Sequence, residues 1–444
     1  MKIKKKGSIL YVGQCYYNAW YISRALRKKG WKADVLNIDP NEASQIYYHG
    51  EDFRFLYRND GDRIDHLVFF LNALVEYDIF HFSNAHAMHF LWEFDSQEPV
   101  VSNHLTKRFL EFLILFLLGT VGGWRASSCY RILTVIPAPM LYYFLMLFRR
   151  YLPYRWDVKL IRKLGKKIVY TNNSCQDGVS QTSFRKWSPE PVCDSCIWKD
   201  RPDVCSDEKN LRWGSFRNKM ADYQITMGGN RVDCNDDPRV HEVPEFYCLD
   251  HESWKPNLMI PSNYLLALPA ETTKVFHAVG NFDSRTEVAS QKNIKSTHIY
   301  VPLMEKLKQE GYPVELIFFK DVPNRNLRFY MAQADIVVDM LTYGWFGAIV
   351  REAMMLGKPC ICFLRPEWLE SMRAEVPDYV AELPVVHATP HTIEAVLKDL
   401  IENPEKRKEI GRRSREFAVK WHSAEAGADR MDAVYSSLLD GNHG

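Results

Sequence analysis

The chain contains 444 residues, of which 46% are hydrophobic and 25% are charged. These ordinary globular values exclude a disordered, collagen-like or coiled-coil chain, and the length predicts more than one domain because single cores stop growing near about 250–300 residues. The 57 basic and 55 acidic side chains give a net charge of +2, so a general nucleic-acid surface is not predicted.

The first residues are basic, but no apolar segment of signal-peptide length follows them, so we expect no secretory leader. The 10 cysteines are too sparse for a secreted disulfide scaffold. Both observations favour a reducing cytosol.

Alternating strand and helix patterns run through both halves of the chain. In the first half, residues 8–13 and 31–38 read as strands on either side of a helix over 18–29, with further strands at 79–82 and 167–171. In the second half, strands are predicted at 274–279, 314–319, 335–341 and 358–363, and helices at 297–309, 327–334 and 348–356. Two such blocks predict two doubly wound parallel sheets, and the proline-rich stretch 244–269 predicts the hinge between them.

Residues 109–148 break this pattern with two apolar runs, 109–118 and 132–148, each shorter than the roughly 20 residues of a spanning helix. Basic residues flank both runs: Lys107, Arg108, Arg125, Arg131, Arg149 and Arg150. This combination favours a membrane-surface or re-entrant hairpin with its cations at the lipid headgroups. A pair of buried core helices remains the alternative.

A glycine-rich turn joins a strand to a helix between Tyr343 and Pro359. Glycines there let backbone N–H groups approach a phosphate, and the start of a helix adds positive potential. Glu352 follows in the helix, where a carboxylate is able to accept hydrogen bonds from the vicinal hydroxyls of a ribose. The alternative interpretation of the same sequence is an ordinary helix N-terminus with Glu352 exposed to solvent.

This run resembles the donor-binding segment of retaining GT-B glycosyltransferases of family 4, in which a helix of pattern Glu-Ala-Met-x-x-Gly-Lys-Pro follows a strand. The resemblance implies that Glu352 binds the nucleotide ribose and that Gly344, Trp345, Phe346 and Gly347 contact the donor. It also implies that no catalytic metal is needed. The family often has a second glutamate eight residues earlier, where this chain has Gly344, so backbone groups of 344–347 are expected to replace it.

Further segments match the same family in order. The resemblance implies that Gly280 and Asn281 form a donor-phosphate loop, and that Lys295, assisted by Lys292, neutralises the diphosphate, with Arg285 as a poorer match. A lysine is a suitable point-charge partner for phosphate. A solvated surface lysine is the competing interpretation.

Two weaker matches lie in the N-terminal half. Gly13 precedes the first helix, as the family's glycine loop does. Residues 78–82 resemble an Asp-Ile-x-His strand, which would bring His81 and His86 to the cleft as catalytic candidates beside Lys295. A lone histidine is more often structural than catalytic.

The predicted architecture is therefore α/β of the GT-B type, with two Rossmann-like doubly wound domains facing a cleft. Residues 1–255 form the acceptor domain, with the apolar insertion 109–148 and a Cys-rich loop over 172–210. Residues 270–425 form the nucleotide-sugar donor domain, and residues 426–444 form a helix that returns towards the first domain.

Four cysteines fall close together in the Cys-rich loop: Cys175, Cys193, Cys196 and Cys205. Four thiolates would close a tetrahedral structural Zn²⁺ site and leave no open position for catalysis. A redox Cys-x-x-Cys pair and unliganded thiols are the alternatives.

The expected function is transfer of a hexose-type sugar from a nucleotide diphosphate sugar to an acceptor, with retention implied by the resemblance. If 109–148 touches a bilayer, the acceptor is a membrane lipid-linked saccharide of polysaccharide biosynthesis, and the protein is peripheral or monotopic on the cytoplasmic face. The alternatives are a nucleotide-sugar 2-epimerase and a non-catalytic zinc-stabilised binding protein. The sequence leaves the oligomeric state open.

Overall fold

We describe the protein from a computed structural model. It describes residues 6–13, 17–37, 49–55, 57, 59–84, 88, 90–91, 137–149, 152–172, 175, 177–187, 192–226, 231–242 and 248–441.

The N-terminal domain is built on a parallel sheet whose seven described strands run in the order β3-β2-β1-β4-β5-β6-β7. The strands are β1 (Ser8–Val12), β2 (Lys32–Asn37), β3 (Phe53–Arg54), β4 (Ile79–Phe82), β5 (Lys167–Thr171), β6 (Tyr223–Thr226) and β7 (Val240–Glu242). The helices around them are α1 (Asn18–Lys28), α2 (Asp60–Glu76), α3 (Ala138–Phe148), α4 (Trp156–Lys163), α5 (Gln181–Arg185) and α6 (Asp207–Met220).

The C-terminal domain is built on a second parallel sheet, whose five described strands run in the order β12-β11-β10-β8-β9. The strands are β8 (Thr273–Val279), β9 (Val314–Lys320), β10 (Ile336–Val338), β11 (Cys360–Cys362) and β12 (Val386–His387). The helices are α7 (Thr297–Gln309), α8 (Asn324–Met331), α9 (Ala348–Met355), α10 (Pro366–Glu375), α11 (Pro377–Glu382), α12 (Ile393–Glu402), α13 (Pro404–His422) and α14 (Ala424–Asp440).

Two parallel sheets with helices on their faces confirm the predicted α/β fold with two Rossmann-like domains. The central strands β1, β4, β10 and β11 are buried along their whole length, as expected of continuous apolar runs covered on both faces. One helix differs from its prediction, because α8 begins at Asn324 rather than at Leu327. Pro323 precedes its first turn, where a proline needs no N–H partner, so the polar residues 324–326 are already helical.

The last helix, α14, leaves the C-terminal domain and packs on the N-terminal one. Its buried residues Met431 and Tyr435 share a hydrophobic cluster with Tyr11 of β1 and Leu26 of α1. The connection back is fixed by a parallel bridge between Leu249 and Ser423.

Only residues 137–148 of the apolar insertion fall within the described part. They form α3, which buries Tyr142 and Leu145 in the N-terminal core. Its opposite face exposes Met140, Tyr143 and Leu147 by 65%, 56% and 75%. Among the described residues no helix is both long and apolar enough to cross a bilayer.

Candidate functional site

A cavity of about 340 Å³ lies between the two domains, at the ends of strands β8, β9 and β10. Ligands of open α/β sheets bind at the carboxyl ends of the strands, and this volume is within the usual range for small-molecule sites. The C-terminal domain supplies most of the polar lining: Gly280, Arg285, Lys295, Asp321, Asn324 and Glu352. Its apolar lining includes Phe319, Val322, Leu327, Met340, Trp345 and Ala348.

The start of α9 and one lysine form an anion site at this cavity. Gly347 is the N-terminal cap residue of α9, and a Cβ there would lie 3.3 Å from Lys295 Nζ. The first N–H groups of a helix have no partner within the helix and carry positive potential. Lys295 and the helix start therefore converge on the same point, as a phosphate group requires.

Lys295 is itself held by a buried acid. Its Nζ lies 2.6 Å from Asp339 Oδ1, and Asp339 is completely buried at the end of β10. The other oxygen, Oδ2, accepts a hydrogen bond from the Gly347 N–H at 3.3 Å. Asp339 thus fixes both the ammonium group and the turn that begins α9.

Glu352 reaches the cavity from the second turn of α9. It is completely buried, and its Oε1 accepts a hydrogen bond from Asn324 Nδ2 at 2.7 Å. Its Oε2 is buried, and the Tyr17 hydroxyl lies close enough to the carboxyl group to donate to it. Burial raises the pKa of Glu352 to about 7, opposed by hydrogen bonds from Asn324 and Tyr17. Glu352 lines the cavity, and a carboxylate has more acceptor sites than these two donors fill, so it is able to accept from a ligand hydroxyl.

The Cys-rich segment, defined here as the described residues of 175–210, forms the opposite wall of the cavity. It docks on the donor domain through Trp187, whose Nε1 donates to the Tyr343 carbonyl at 2.6 Å. The Arg365 guanidinium lies 3.3 Å from the centre of the Trp187 ring. The residues of this segment that line the cavity include Cys175, Gln181, Phe184, Cys193, Cys196, Trp198, Lys199, Cys205 and Asn210.

The four cysteines predicted to bind zinc share this wall as free thiols. The predicted zinc site is nevertheless not supported, because no group of three or more His, Cys, Asp or Glu side chains in the described residues is arranged to hold a metal ion. Burial, with the neighbouring thiols, raises the pKa of Cys175 to about 12, and burial raises that of Cys193 to about 11.

The structure brings five of the predicted donor-binding residues to the cavity: Gly280, Lys295, Trp345, Gly347 and Glu352. Six other predicted site residues are not among the residues that line it: Gly13, His81, Asn281, Lys292, Gly344 and Phe346. His86 lies outside the described residues.

His81 lies in the protein interior and does not face the cleft as the sequence predicts. It is buried in β4, where Nδ1 pairs with the Tyr435 hydroxyl at 2.6 Å and Nε2 with Thr171 Oγ1 at 2.7 Å. Burial lowers the pKa of His81 to about 3, so the imidazole is neutral, with a single N–H, at physiological pH. It ties β4 to the returning helix α14.

Three residues of the donor domain also differ from the expectation. Phe346 is fully buried and packs edge-on against Trp368 in the core. Gly344 has φ +84°, and a Cβ there would lie 2.7 Å from Arg365 Cβ, so packing against Arg365 requires the glycine. Lys292 is exposed on the loop before α7.

Gly13 and Asn281 shape the ends of their strands. Gly13 has φ +78°, donates its N–H to Leu36 and accepts a hydrogen bond from Ser83 Oγ. Asn281 takes φ +54°, directly after the cavity residue Gly280.

Sequence reasoning gave no role to Asp339, and it placed Asn324 only at the end of a loop, 319–324, that the family resemblance assigns to the nucleobase. A signal existed for Asp339, because it ends a buried apolar strand next to the glycine-rich turn. Asn324 carries no comparable signal, since its role depends on Glu352, which lies 28 positions away.

Comparison with known proteins agrees with this geometry. Residues 301–417, which include Gly347 and Glu352, match the family model described as Glycosyl transferases group 1. No curated protein sequence is significantly similar to the chain. The family match supports sugar transfer as the activity of this chain.

Solved structures show the same fold at low sequence identity. Sucrose-phosphate synthase from Thermosynechococcus elongatus is similar with a TM-score of 0.51 and 13% identity, covering 98% of this chain and 100% of that one. Anabaena HepE in complex with UDP and glucose gives the same TM-score, identity and coverage. HepE in complex with UDP-glucose gives a TM-score of 0.50 at 12% identity, covering 97% of this chain and 100% of that one. These similarities confirm the GT-B fold.

Proposed function

We propose that this protein transfers a sugar from a nucleotide diphosphate sugar to an acceptor, with retention at the anomeric carbon. The observation that carries the proposal is the set of three groups on one side of the cavity. Lys295 and the start of α9 form an anion site, and the Glu352 carboxylate lies one turn further along the same helix. A nucleoside diphosphate matches all three.

The chemistry of group transfer explains why these groups belong together. When the sugar–oxygen bond breaks, negative charge develops on the departing diphosphate. Lys295 and the N–H groups at the start of α9 are fixed in place before the reaction and therefore stabilise this charge without reorganising. Removing such a donor typically lowers turnover by about 100- to 1000-fold.

The nucleoside occupies the rest of the donor-domain wall in this proposal. The ribose hydroxyls donate to Glu352, and the base lies in the loop after β9, where Phe319, Asp321 and Val322 line the cavity. Phe319 is itself held against Tyr330, with ring centres 4.2 Å apart. The donor sugar then points towards the Cys-rich segment, where Gln181 and Lys199 offer polar contacts.

The acceptor is proposed to be a lipid-linked saccharide, approached from the cytoplasmic face of a membrane. The support is the exposed face of α3, which presents Met140, Tyr143 and Leu147 side by side at helical spacing, followed by exposed Arg149. Apolar side chains next to a basic one suit the boundary between headgroups and acyl chains.

We expect the triple variant Met140→Ser, Tyr143→Ser, Leu147→Ser to lose vesicle binding by about 1000-fold or more, since burying each of the three large apolar side chains contributes about 1.5–3 kcal/mol. Co-sedimentation with vesicles containing anionic lipid measures this. The matched control is Met259→Ser, Leu265→Ser, Val288→Ser, which removes three exposed apolar side chains from the hinge stretch and the donor domain. Equal loss in both variants, or no binding by the parent protein, contradicts a role for α3.

Turnover of a panel of nucleotide diphosphate sugars, followed by release of the nucleoside diphosphate, tests the proposed activity. We expect release to depend on an added lipid-linked or saccharide acceptor and to yield a glycosylated product with the donor's anomeric configuration. Formation of a sugar isomer without acceptor would instead assign an epimerase. Absence of turnover with every donor and acceptor pair, together with absence of donor binding, overturns the proposal.

A further inference from the structure

Two described side chains of the N-terminal domain cross the cleft: Tyr17 lies against Glu352, and His49 lies against its partner Asn324. Tyr21, in the first turn of α1, packs against both of them. Tyr17 is completely buried in the hydrophobic cluster of the donor domain, although it belongs to the other domain in sequence. Its hydroxyl is close enough to the Glu352 carboxyl group to stabilise the charged form by hydrogen bonding.

His49 is connected to both domains at once. Its Nε2 lies 2.8 Å from Asn324 Oδ1, and its Nδ1 lies 3.0 Å from the Tyr21 hydroxyl. Its ring also lies 5.3 Å from the rings of both tyrosines. Burial lowers the pKa of His49 to about 4, so the imidazole is neutral and has one N–H.

The direction of each hydrogen bond follows from Glu352. Asn324 donates from Nδ2 to Glu352 Oε1, so its Oδ1 is the atom that faces His49 and accepts. His49 must then donate from Nε2, which leaves Nδ1 as an acceptor for the Tyr21 hydroxyl. One directed chain therefore runs from Tyr21 through His49 and Asn324 to Glu352.

We infer that His49 is a positioning residue for nucleotide binding: through Asn324 it holds the Glu352 carboxylate at the wall of the cavity, and so couples recognition of the ribose to closure of the two domains. This inference rests on the proposed function. When the domains separate, Asn324 Oδ1 loses the N–H that His49 donates to it. The Asn324 amide is then free to rotate, and Glu352 Oε1 loses its hydrogen-bond donor. The ribose site is complete only in the closed form.

The test uses His49→Phe, which keeps an aromatic ring between Tyr17 and Tyr21 and removes both hydrogen bonds. We expect the KM for the donor to rise about tenfold with kcat changed less than twofold. His49→Gln offers an N–H to Asn324 and should recover most of the affinity. Tyr21→Phe removes only the hydroxyl that pairs with His49 Nδ1 and so favours the tautomer with its N–H at Nε2. This variant should raise the donor KM two- to threefold.

His66→Phe is the matched control for loss of a buried histidine. His66 is 1% exposed and pairs with the Tyr57 hydroxyl at 2.6 Å, within the N-terminal domain. The His66→Phe substitution should lower the melting temperature without changing the donor KM. An unchanged donor KM in folded His49→Phe, or an equal KM increase in His66→Phe, overturns the inference.

A 2′,3′-dideoxyribonucleoside diphosphate separates failure of this inference from failure of the proposed function. The parent protein should bind the ribonucleotide more tightly than the dideoxy analogue, and His49→Phe should lose that preference. If the parent itself shows no preference, the assignment of Glu352 to the ribose is wrong. If the parent and His49→Phe show the same preference, only the role of His49 is wrong.

Discussion

Replacing Lys295 by alanine should lower the free energy of unfolding by about 3–5 kcal/mol, in addition to impairing turnover. The reason is Asp339, which is completely buried and has Lys295 as its ion-pair partner at 2.6 Å. Removing one member of a buried pair leaves an uncompensated charge, which costs far more than the pair contributes. Urea denaturation followed by circular dichroism measures the effect.

A second variant separates the structural role of Lys295 from its proposed role at the diphosphate. The double variant Lys295→Met, Asp339→Asn removes both charges and should recover most of the lost stability. It should still release nucleoside diphosphate about 100- to 1000-fold more slowly than the parent, because the cation at the leaving group is missing. Recovery of full turnover together with stability would show that Lys295 only neutralises Asp339.

Glu352→Gln should stabilise the ligand-free protein above neutral pH and weaken nucleotide binding. The pKa of Glu352 is raised from 4.5 to about 7 by burial, so ionisation opposes folding as pH rises through this window. In the parent protein, ionisation of Glu352 does not reduce the free energy of unfolding below pH 4.5, and above pH 7 it reduces it by about 3 kcal/mol. Glutamine has no charge to bury, so the variant's advantage should grow from under about 1 kcal/mol at pH 5 to about 3 kcal/mol at pH 8.

Glu375→Gln is the control, because its expected effect on stability at pH 8 is opposite to that of Glu352→Gln. Although burial acts against it, hydrogen bonds from His241 and the Glu242 N–H lower the pKa of Glu375. Its ionised form therefore favours folding, and the substitution should destabilise the protein at pH 8. Urea titrations of both variants at pH 5 and pH 8 provide the comparison. A stability difference for Glu352→Gln that does not change with pH contradicts the buried, raised-pKa carboxylate.

The fold was predictable because its strands and helices repeat simple patterns. Buried parallel strands are continuous apolar runs, and the predicted bounds of β4, β5 and α7 agree with the structure. Helices without a clear apolar stripe, such as α6, were not predicted. Its buried residues include Asn210 and Arg217, and Arg217 is buried through its contacts with Asp177, which no local pattern reveals.

The candidate site was predictable where one short segment contains the chemistry, as in the turn from Gly347 to Glu352. It was not predictable where function depends on contacts between distant segments. Asp339, Asn324 and His49 each act through a partner that only the folded chain brings near. The reverse error occurred at His81, where a strand-end histidine suggested catalysis but the returning helix α14 occupies one of its ring nitrogens.

Calorimetric titration of the protein with a ribonucleoside diphosphate, its monophosphate and its 2′,3′-dideoxy analogue tests the central claim most directly. The claim is that one cavity holds a diphosphate at Lys295 and the start of α9, and a ribose at Glu352. The account predicts that the ribonucleoside diphosphate of the matching base binds more tightly than both other compounds. Equal affinity for all three, or no binding of diphosphates of any base, would contradict it.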